Sequence, residues 1–350
     1  MLLASCNSMV GEQGPGGPVG IVSDEKFDAA VENTLAELKP EATGKIVVYS
    51  GRSESLVSDM IAEFSSATGI EVEVRYAKSA TLASTIILEG GISPADVFFS
   101  QDPISLGVVA KEGLFDILPS DILDNVPVWA VDKRGFWVGT SGRSRSLVVD
   151  TRDVTDAEIP GDIYGLADEK FRERLGLAPT NSSFIAMITC MIEEDGEEKV
   201  AEWLKAIHSL DYTEYPKNSP QVAAADAGEL DIGMINHYYT LRLLSEKGNS
   251  SVKNIFLRSG CGAMVMPAGA GVLASSTNKY SALAFIEFLH TKTVQEHFTN
   301  TVYEFPLVDG ITPHPSLPAI GSLNSPQDLN WSALALWQDL AVELIAQAGY

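Results

Sequence analysis

The amino-acid sequence predicts an α/β protein with two lobes and a ligand cleft between them. Residues 45–49 have the pattern of a short apolar strand, residues 56–68 that of an amphipathic helix, and residues 70–76 that of an alternating strand. This β-α-β start is typical of a parallel sheet with helices on both faces. A second α/β unit runs from about residue 150 to residue 259, and residues 263–273 predict a strand that returns to the first lobe.

The remaining elements follow from apolar residues at helical or alternating spacing. The helix over residues 56–68, for example, carries Leu56, Met60, Ile61 and Phe64 on one face and ends at Gly69. The other predicted helices cover residues 79–89, 104–111, 183–194, 196–207 and 220–228. The other predicted strands cover residues 95–99, 135–139 and 146–149, the last two carrying the chain out of the first lobe.

Two lobes joined by extended strands predict a binding cleft at the carboxyl ends of their sheets. Ligand binding can close such a cleft by a hinge motion. Each lobe is expected to be a mixed sheet flanked by helices. The predicted division of the chain is residues 1–23, a lipobox-like start and flexible tether; residues 24–44, a short helix; residues 45–145 plus about 263–310, lobe 1; and residues 146–262 plus about 311–350, lobe 2.

The N-terminal residues carry a candidate lipidation site. The run from Leu3 to Cys6 resembles a bacterial lipobox, and the Gly/Pro-rich residues 11–20 have the composition of a tether. The basic region and most of the apolar region of a signal peptide are missing. We therefore expect a lipid anchor on Cys6 behind a truncated signal peptide, with an accidental resemblance as the alternative.

Composition excludes several partner classes. The formal charge of −23 comes from 47 acidic and 24 basic residues in a chain of 350, spread without a long acidic block. Such a surface repels polyanions, so nucleic acid is not an expected partner, and a generally basic membrane-binding face is absent from the sequence. No run approaches the roughly 20 apolar residues that a bilayer span requires.

The cysteines do not form a disulfide framework in the sequence. Cys190 lies in an apolar helical run and Cys261 in a Gly-rich segment, and neither belongs to a C-x-x-C pair. We expect buried free thiols at both positions. A Cys190–Cys261 bridge in an oxidising compartment is the alternative.

The most informative residues are the adjacent tyrosines Tyr238 and Tyr239, which follow Asn236 and His237 at a predicted loop-to-helix junction. A phenol loses its proton only near pH ~10 and is a poor ligand for most metals. The phenolate, however, is a hard charged oxygen that suits a hard trivalent cation such as ferric iron. The pair is therefore a candidate ferric site, with ordinary core packing of one ring as the alternative.

Six segments together resemble the ferric-iron-binding substrate-binding proteins of bacterial ABC transporters, within the type II class of periplasmic binding proteins. They occur in the family's order and spacing over most of residues 45–307. The segments are Val47-Val-Tyr-Ser-Gly-Arg-Ser-Glu54, Ser93-Pro-Ala-Asp-Val-Phe-Phe-Ser-Gln101, Trp137-Val-Gly-Thr-Ser-Gly-Arg-Ser-Arg145, Ala178-Pro-Thr-Asn-Ser-Ser-Phe184, Asn236-His-Tyr-Tyr239 and Val265-Met-Pro-Ala-Gly-Ala-Gly271.

The resemblance implies that Tyr238 and Tyr239 are the paired phenolate ligands of the family. Other ligand positions of the family are replaced here: Ser53 stands where one branch has histidine, and Gln101 where it has glutamate. Both are neutral side chains and are expected to line the cleft without binding metal. A third tyrosine of some branches is also absent, with Thr180 or Asn181 nearest to its position.

The resemblance further implies that an anion completes the coordination. Arg52 matches an arginine that holds carbonate in another branch, and a guanidinium suits planar oxyanions. A surface salt bridge is the alternative for Arg52, and a plain helix cap is the alternative for the residues that open a helix at 181–183. The family's positions predict an anion-binding set of Arg52, Asn181, Ser182, Ser183, Asn218 and Asn236.

Several other residues are assigned supporting roles. Arg143 and Arg145 are expected to brace the hinge, and His237 is expected to lie outside the metal's coordination shell. Tyr49 is expected to pack near the cleft, and Asp96 to orient a loop.

The predicted function is an extracytoplasmic solute-binding protein that captures ferric iron with an anion such as carbonate and delivers it to the permease of an ABC importer. It is expected to be a monomer in the periplasm or on the outer face of the cytoplasmic membrane. A phosphate-ester or phosphonate-binding protein that uses the same cleft without metal is the alternative. No G-x-S-x-G, H-E-x-x-H or P-loop pattern occurs, so an enzyme is not expected.

Overall fold

The computed structural model describes residues 42–326 and 329–350. The lipobox-like start, the tether, Cys6 and most of the short helix predicted within residues 24–44 therefore lie outside the described residues, and these expectations stay predictions. In the part of the chain that is described, no helix is long and apolar enough to cross a membrane.

Mixed α/β structure with alternating strands and helices is observed from the first described strand onward. The strands are β1 Lys45–Ser50, β2 Glu71–Tyr76, β3 Val97–Ser100, β4 Val138–Asp150, β5 Leu175–Leu177, β6 Thr213–Glu214, β7 Ile232–Asn236, β8 Val252–Ile255 and β9 Val265–Val272. The helices are α1 Glu54–Thr68, α2 Ser79–Glu89, α3 Pro103–Lys111, α4 Ser120–Leu123, α5 Ser182–Asp195, α6 Glu197–His208, α7 Asn218–Ala227, α8 Tyr238–Lys247, α9 Lys279–Leu289, α10 Lys292–His297, α11 Trp331–Leu334 and α12 Gln338–Gln347.

The strands pair in the order β2-β1-β3-β9-β4-β7-β5-β6, and β8 pairs with β4. β1 is parallel to β2 and β3, while β9 is antiparallel to β3, which makes the first half of the sheet mixed. In the second half β7 is antiparallel to β4 and parallel to β5. Each half therefore has the parallel β-α-β core that the sequence predicts, with an antiparallel strand beside it.

β4 is a single strand of 13 residues that belongs to both halves of the sheet. Its first part, through Ser144, pairs with β9, and its second part, from Arg145, pairs with β7. The sequence predicts two separate strands at 135–139 and 146–149, and this expectation is wrong. The residues between them, rich in Gly, Ser and Arg, lack the apolar alternation by which a strand is recognised.

Aromatic rings fill the core beneath the first half of the sheet. The ring of Phe64 on α1 lies 5.2 Å from that of Phe285 and 5.4 Å from that of Phe288, both on α9. Such tilted or edge-on contacts add to the apolar area that the rings bury. In the second half, α5 and α6 pack on each other over a core that includes Trp203.

The C-terminal helices contact both halves of the molecule. α11 packs on α3, which follows β3, and α12 packs on α5. The indole Nε1 of Trp331 donates a hydrogen bond of 2.7 Å to the carbonyl oxygen of Trp129. The assignment of about residues 311–350 to lobe 2 alone stays a prediction.

Cys190 on α5 and Cys261, just before β9, form a disulfide bond, so the expectation of two free thiols is wrong. Both cysteines are buried, as predicted, but the sequence could not show that two segments separated by 71 residues meet at this point. The alternative of a bridge in an oxidising compartment is the one that the structure supports.

Removal of this bridge is expected to lower the free energy of unfolding. The double substitution Cys190→Ala and Cys261→Ala releases a loop of 71 residues in the unfolded chain and should cost about 2–5 kcal/mol. Urea unfolding of the oxidised protein measures the difference, and peptide mapping without reductant should recover the two cysteines in one linked fragment. Cys6→Ala is the matched control and should leave the unfolding curve in place. Equal stability of the double variant and the wild type would contradict the bond's contribution.

Candidate functional site

The candidate site centres on the junction between β7 and α8, which places Tyr238 and Tyr239 at the first turn of the helix. This is the loop-to-helix position that the sequence predicts. The two rings lie 4.3 Å apart at an interplanar angle of 34°. Tyr238 is fully buried, and its phenol oxygen has no hydrogen-bond partner among the described residues. A buried hydroxyl without a partner is costly, so this oxygen is suited to an incoming ligand.

The phenol of Tyr239 is held in its protonated form by its surroundings. Burial raises the pKa of this phenol well above its ordinary value, and the neighbouring Tyr238 raises it further. The guanidinium groups of Arg143 and Arg52 act in the opposite direction. Their presence shows that positive charge lies close to the tyrosine pair and favours the phenolate.

Arg52 is fully buried beside the tyrosine pair, in the loop between β1 and α1. Its Nη2 donates hydrogen bonds to both carboxylate oxygens of Glu304, at 2.8 and 2.9 Å. Both side chains have no exposed surface. The alternative of a surface salt bridge is therefore wrong for Arg52: its ion pair lies in the interior.

The other nitrogens of Arg52, Nε and Nη1, are buried and have no hydrogen-bond partner among the described residues. Burial lowers the pKa of Arg52, but Glu304 and the two tyrosines outweigh it and hold that pKa above its ordinary value. Arg52 is therefore a permanent cation with unused N–H donors.

Arg143 and Arg145 bring two further buried cations to the site from β4. Nη1 of Arg143 donates to the hydroxyl of Ser183 at 3.3 Å, and Nη1 of Arg145 donates to Oδ1 of Asn236 at 3.0 Å. Burial, and then the charge of Arg143, lower the pKa of Arg145 to about 9. Both arginines lie on the strand that joins the two halves of the sheet, and both contact predicted anion-binding residues.

The amino terminus of α5 forms another side of the site. Asn181 is the cap residue, and its Oδ1 accepts a hydrogen bond of 3.0 Å from the backbone N–H of Ser183. The hydroxyl of Ser183 also accepts hydrogen bonds from Nδ2 of Asn236 at 3.0 Å and from Nε2 of Gln101 at 3.5 Å. Gln101 follows β3 in the first half of the sheet, so this contact joins the two halves across the site.

Several other predicted residues have clear positions. Asn218 is buried at the start of α7, and its Nδ2 has no partner among the described residues. Ser182 is partly exposed beside Asn181, and Ser53 is exposed at the start of α1. The assignment of these two residues to the anion site and the cleft stays a prediction.

His237 anchors the tyrosine junction through its ring. Nδ1 accepts a hydrogen bond of 3.1 Å from the backbone N–H of Ser144, and Nε2 donates to the carbonyl oxygen of Tyr303 at 2.8 Å. Burial lowers the pKa of His237 to about 4, so the ring is neutral at physiological pH. Both ring nitrogens already have hydrogen-bond partners, and the expectation that His237 lies outside the metal's coordination shell stays a prediction.

Two residues singled out in the sequence lie away from the tyrosine pair. The phenol of Tyr49 donates to Glu89 at 3.0 Å and accepts from Arg75 at 3.2 Å, which is a packing role. The carboxylate of Asp96 accepts from the backbone N–H of Val47 and from Ser276, and so orients the loop before β3.

Glu304 is the charged residue beside the site that sequence reasoning missed. It lies in the apolar run from Val302 to Leu307, and a lone carboxylate in such a run is a signal for a buried charge. Its partner, Arg52, lies 252 residues away along the chain, so the sequence alone does not show that the two residues meet.

The donors around the tyrosine pair can hold an oxyanion, and the phenols can hold a hard cation. Among the described residues, no cluster of three or more His, Cys, Asp or Glu side chains could hold a metal instead. The unpartnered buried groups at the site are Nε and Nη1 of Arg52, Nε and Nη2 of Arg143, Nε of Arg145, Nδ2 of Asn218 and the phenol oxygen of Tyr238.

Comparison with known proteins places the chain in a family. The family model described as bacterial extracellular solute-binding protein matches residues 93–335. The major ferric iron-binding protein of Neisseria meningitidis serogroup B is 34% identical over 317 residues, which cover 88% of this chain and 94% of that protein. The Fe(3+)-binding periplasmic protein of Serratia marcescens is 32% identical, covering 87% of this chain and 90% of that protein.

Among solved structures, iron-bound HitA from Pseudomonas aeruginosa superposes with a TM-score of 0.83 at 27% identity. The match covers 87% of this chain and 99% of that chain. The type II, two-lobed α/β fold predicted from the sequence is thereby confirmed. The chain belongs to the bacterial extracellular solute-binding protein family, and within it to the group that contains these ferric iron-binding proteins.

Proposed function

We propose that this protein captures ferric iron outside the cytoplasmic membrane, together with a small oxyanion such as carbonate, and delivers it to the permease of an ABC importer. The observation that carries the proposal is the closely packed pair Tyr238 and Tyr239 beside buried guanidinium groups with unused N–H donors. The names of the relatives from Neisseria and Serratia support ferric iron as the cargo. The role is one of binding and transport, without catalysis.

In this proposal the two phenols lose their protons and bind the iron as phenolates. A trivalent cation offsets the cost of a buried phenolate, and Arg52 and Arg143 already favour the charged form of Tyr239. Ser53 and Gln101 supply neutral oxygens and nitrogens only, so the remaining coordination positions of the iron fall to the anion and to water.

The anion completes the charge balance of the site. Arg52, Arg143 and Arg145 are buried cations, and Glu304 pairs with Arg52. A carbonate that bridges the iron and these guanidinium groups would satisfy donors that are otherwise unpaired. The proposed anion-binding set is Arg52, Asn181, Ser182, Ser183, Asn218 and Asn236, and the choice of carbonate over another oxyanion is part of the proposal.

Closure of the two lobes would keep these groups together around the cargo. β4 joins both halves of the sheet, and the contacts of Gln101 and Arg143 with Ser183 link residues on either side of the site. The importer would then recognise the closed form. We further propose that the protein is a monomer, tethered through a lipid on Cys6, in the periplasm or on the outer face of the cytoplasmic membrane.

A metal-free oxyanion is the alternative cargo. The same unpaired donors of Arg52 and the amino terminus of α5 would suit a phosphate ester or a phosphonate. The tyrosine pair favours iron, because a phosphate needs no buried phenols beside it.

Loss of either tyrosine is expected to weaken iron binding. Tyr238→Phe and Tyr239→Phe each remove a phenolate oxygen while keeping the ring. Loss of a partner beyond the coordination shell already costs about 10–100-fold in metal affinity, so loss of a ligand should cost more. Titration with ferric citrate and bicarbonate, followed by the visible phenolate-to-iron band, measures the change. Tyr49→Phe is the matched control, and a full band in both site variants would count against the proposal.

Iron affinity is expected to fall as the pH falls. Burial holds the pKa of Tyr239 well above its ordinary value, so this phenol is protonated before iron arrives and must release its proton. Each released proton should change the apparent affinity by about tenfold per pH unit. Proton release, measured with an indicator dye in weak buffer at fixed ferric citrate and bicarbonate, should be about one per iron lower in Tyr239→Phe than in the wild type, because the protons exchanged by citrate and bicarbonate are the same for both proteins. Equal proton release by the two proteins would contradict ligation by the Tyr239 phenolate.

Calorimetry separates iron from the alternative cargo. With ferric citrate and bicarbonate we expect saturable binding, while sugar phosphates and aminophosphonates without metal should bind at least about 100-fold more weakly, a difference of roughly 2.8 kcal/mol. The reason is that the phenols contribute to binding only when a cation takes up their charge. Tight binding of a phosphate ester to metal-free protein, with no visible band on addition of iron, would establish the alternative.

A further inference from the structure

We propose that Glu304 is a positioning residue, which fixes the guanidinium of Arg52 by one nitrogen and so leaves Nε and Nη1 available to the anion. This inference rests on the proposed function and deepens it, because it names the group that determines how the anion is held. Glu304 itself would contact neither the iron nor the anion.

The contact between the two residues uses one end of the guanidinium only. Nη2 of Arg52 donates to both Oε1 and Oε2 of Glu304, while Nε and Nη1 have no partner among the described residues. Arg52 could instead have offered two nitrogens to the carboxylate in the common forked arrangement. The observed contact therefore leaves two buried nitrogens, with their N–H groups, beside Tyr238 and Tyr239.

The carboxylate of Glu304 is held in place by its own surroundings. The hydroxyl of Ser141 on β4 donates to Oε2 at 2.5 Å. The backbone N–H of Glu304 donates to the carbonyl oxygen of Phe298 at 2.9 Å. With no exposed surface on either side chain, Glu304 has no solvent into which it could turn away from Arg52.

The backbone around Glu304 is tied to the strand that joins the two halves. Phe305 and Gly142 exchange backbone hydrogen bonds of 2.7 and 2.9 Å. A Cβ atom on Gly142 would lie 3.1 Å from Cβ of Phe305, so glycine permits this close pairing. The carbonyl oxygen of Tyr303 accepts from His237, which precedes the tyrosine pair. Glu304 thus stands in a fixed place relative to both Arg52 and the tyrosines.

Charge and position make opposite predictions for the removal of Glu304. Loss of a negative charge beside Arg52 should strengthen anion binding by Coulomb attraction. Loss of the fixed contact should weaken it, because Arg52 would no longer hold its free nitrogens toward the anion. Glu304→Gln removes the charge but keeps an acceptor oxygen for Nη2, while Glu304→Ala removes both, so the two variants separate the effects.

The experiment uses the full chain loaded with ferric citrate, and the bicarbonate concentration at half-maximal phenolate-to-iron absorbance is the readout. For Glu304→Ala we expect that concentration to rise at least about tenfold, as for loss of other groups that orient a ligand. Glu304→Gln should stay within about threefold of the wild type or fall below it. An unchanged or lower concentration in Glu304→Ala would overturn the proposal.

A structural control and a second variant keep the result interpretable. Asp96→Asn removes another buried carboxylate, just before β3, and should not shift the bicarbonate dependence, even if it lowers the thermal unfolding temperature. Ser141→Ala, which removes the hydroxyl on Oε2, should shift the dependence in the direction of Glu304→Ala by about threefold. If Glu304→Ala does not fold, an unshifted Ser141→Ala protein overturns the proposal.

A metal-free arm separates this inference from the proposed function. Calorimetry with inorganic phosphate, in the absence of iron, should give weaker binding to Glu304→Ala than to the wild type. If the wild type binds phosphate and forms no ferric band, the proposed function fails. The comparison of phosphate binding between Glu304→Ala and the wild type then still tests whether Glu304 positions Arg52. If the wild type binds neither iron nor phosphate, both proposals fail.

Discussion

Buried positive charge is the constraint on which the site depends. Arg52, Arg143 and Arg145 are all removed from water, and removal of a charge from water costs free energy unless an opposite charge compensates. Within the described residues, Glu304 forms an ion pair with Arg52, and no carboxylate lies within ion-pair distance of Arg143 or Arg145. A ligand that brings negative charge is therefore favoured. Among such ligands, the tyrosine pair favours one that also contains a hard cation.

The strand β4 explains how these charges come together. Arg143 and Arg145 are two residues apart in a strand, so their side chains emerge on the same face. Arg143 lies where β4 still pairs with β9, and Arg145 lies where it already pairs with β7. The segment that joins the lobes thus also supplies two of the cations. In the proposed function, anion binding and closure act on the same strand, so each would favour the other.

Local patterns in the sequence were sufficient for much of the fold. The helix over residues 79–89 and the position of the tyrosine pair were predicted closely, because apolar spacing and flanking loop residues determine them locally. The continuity of β4 was missed, since Gly, Ser and Arg obscure strand alternation. The Cys190–Cys261 bridge and the Arg52–Glu304 pair were missed for a different reason: both join distant segments, and only tertiary packing brings those segments into contact.

The protonation of the phenols adds selectivity to the proposed site. Because burial raises the pKa of Tyr239, a cation must supply enough interaction free energy to displace the proton as well as to bind. Attraction between a cation and a phenolate grows with the charge of the cation, so a trivalent ion can meet this cost where a divalent ion gains less. The nearby guanidinium groups repel every cation, and an anion that binds with the metal would reduce this repulsion. The same buried charges that require an anion would therefore favour a trivalent metal that arrives with one.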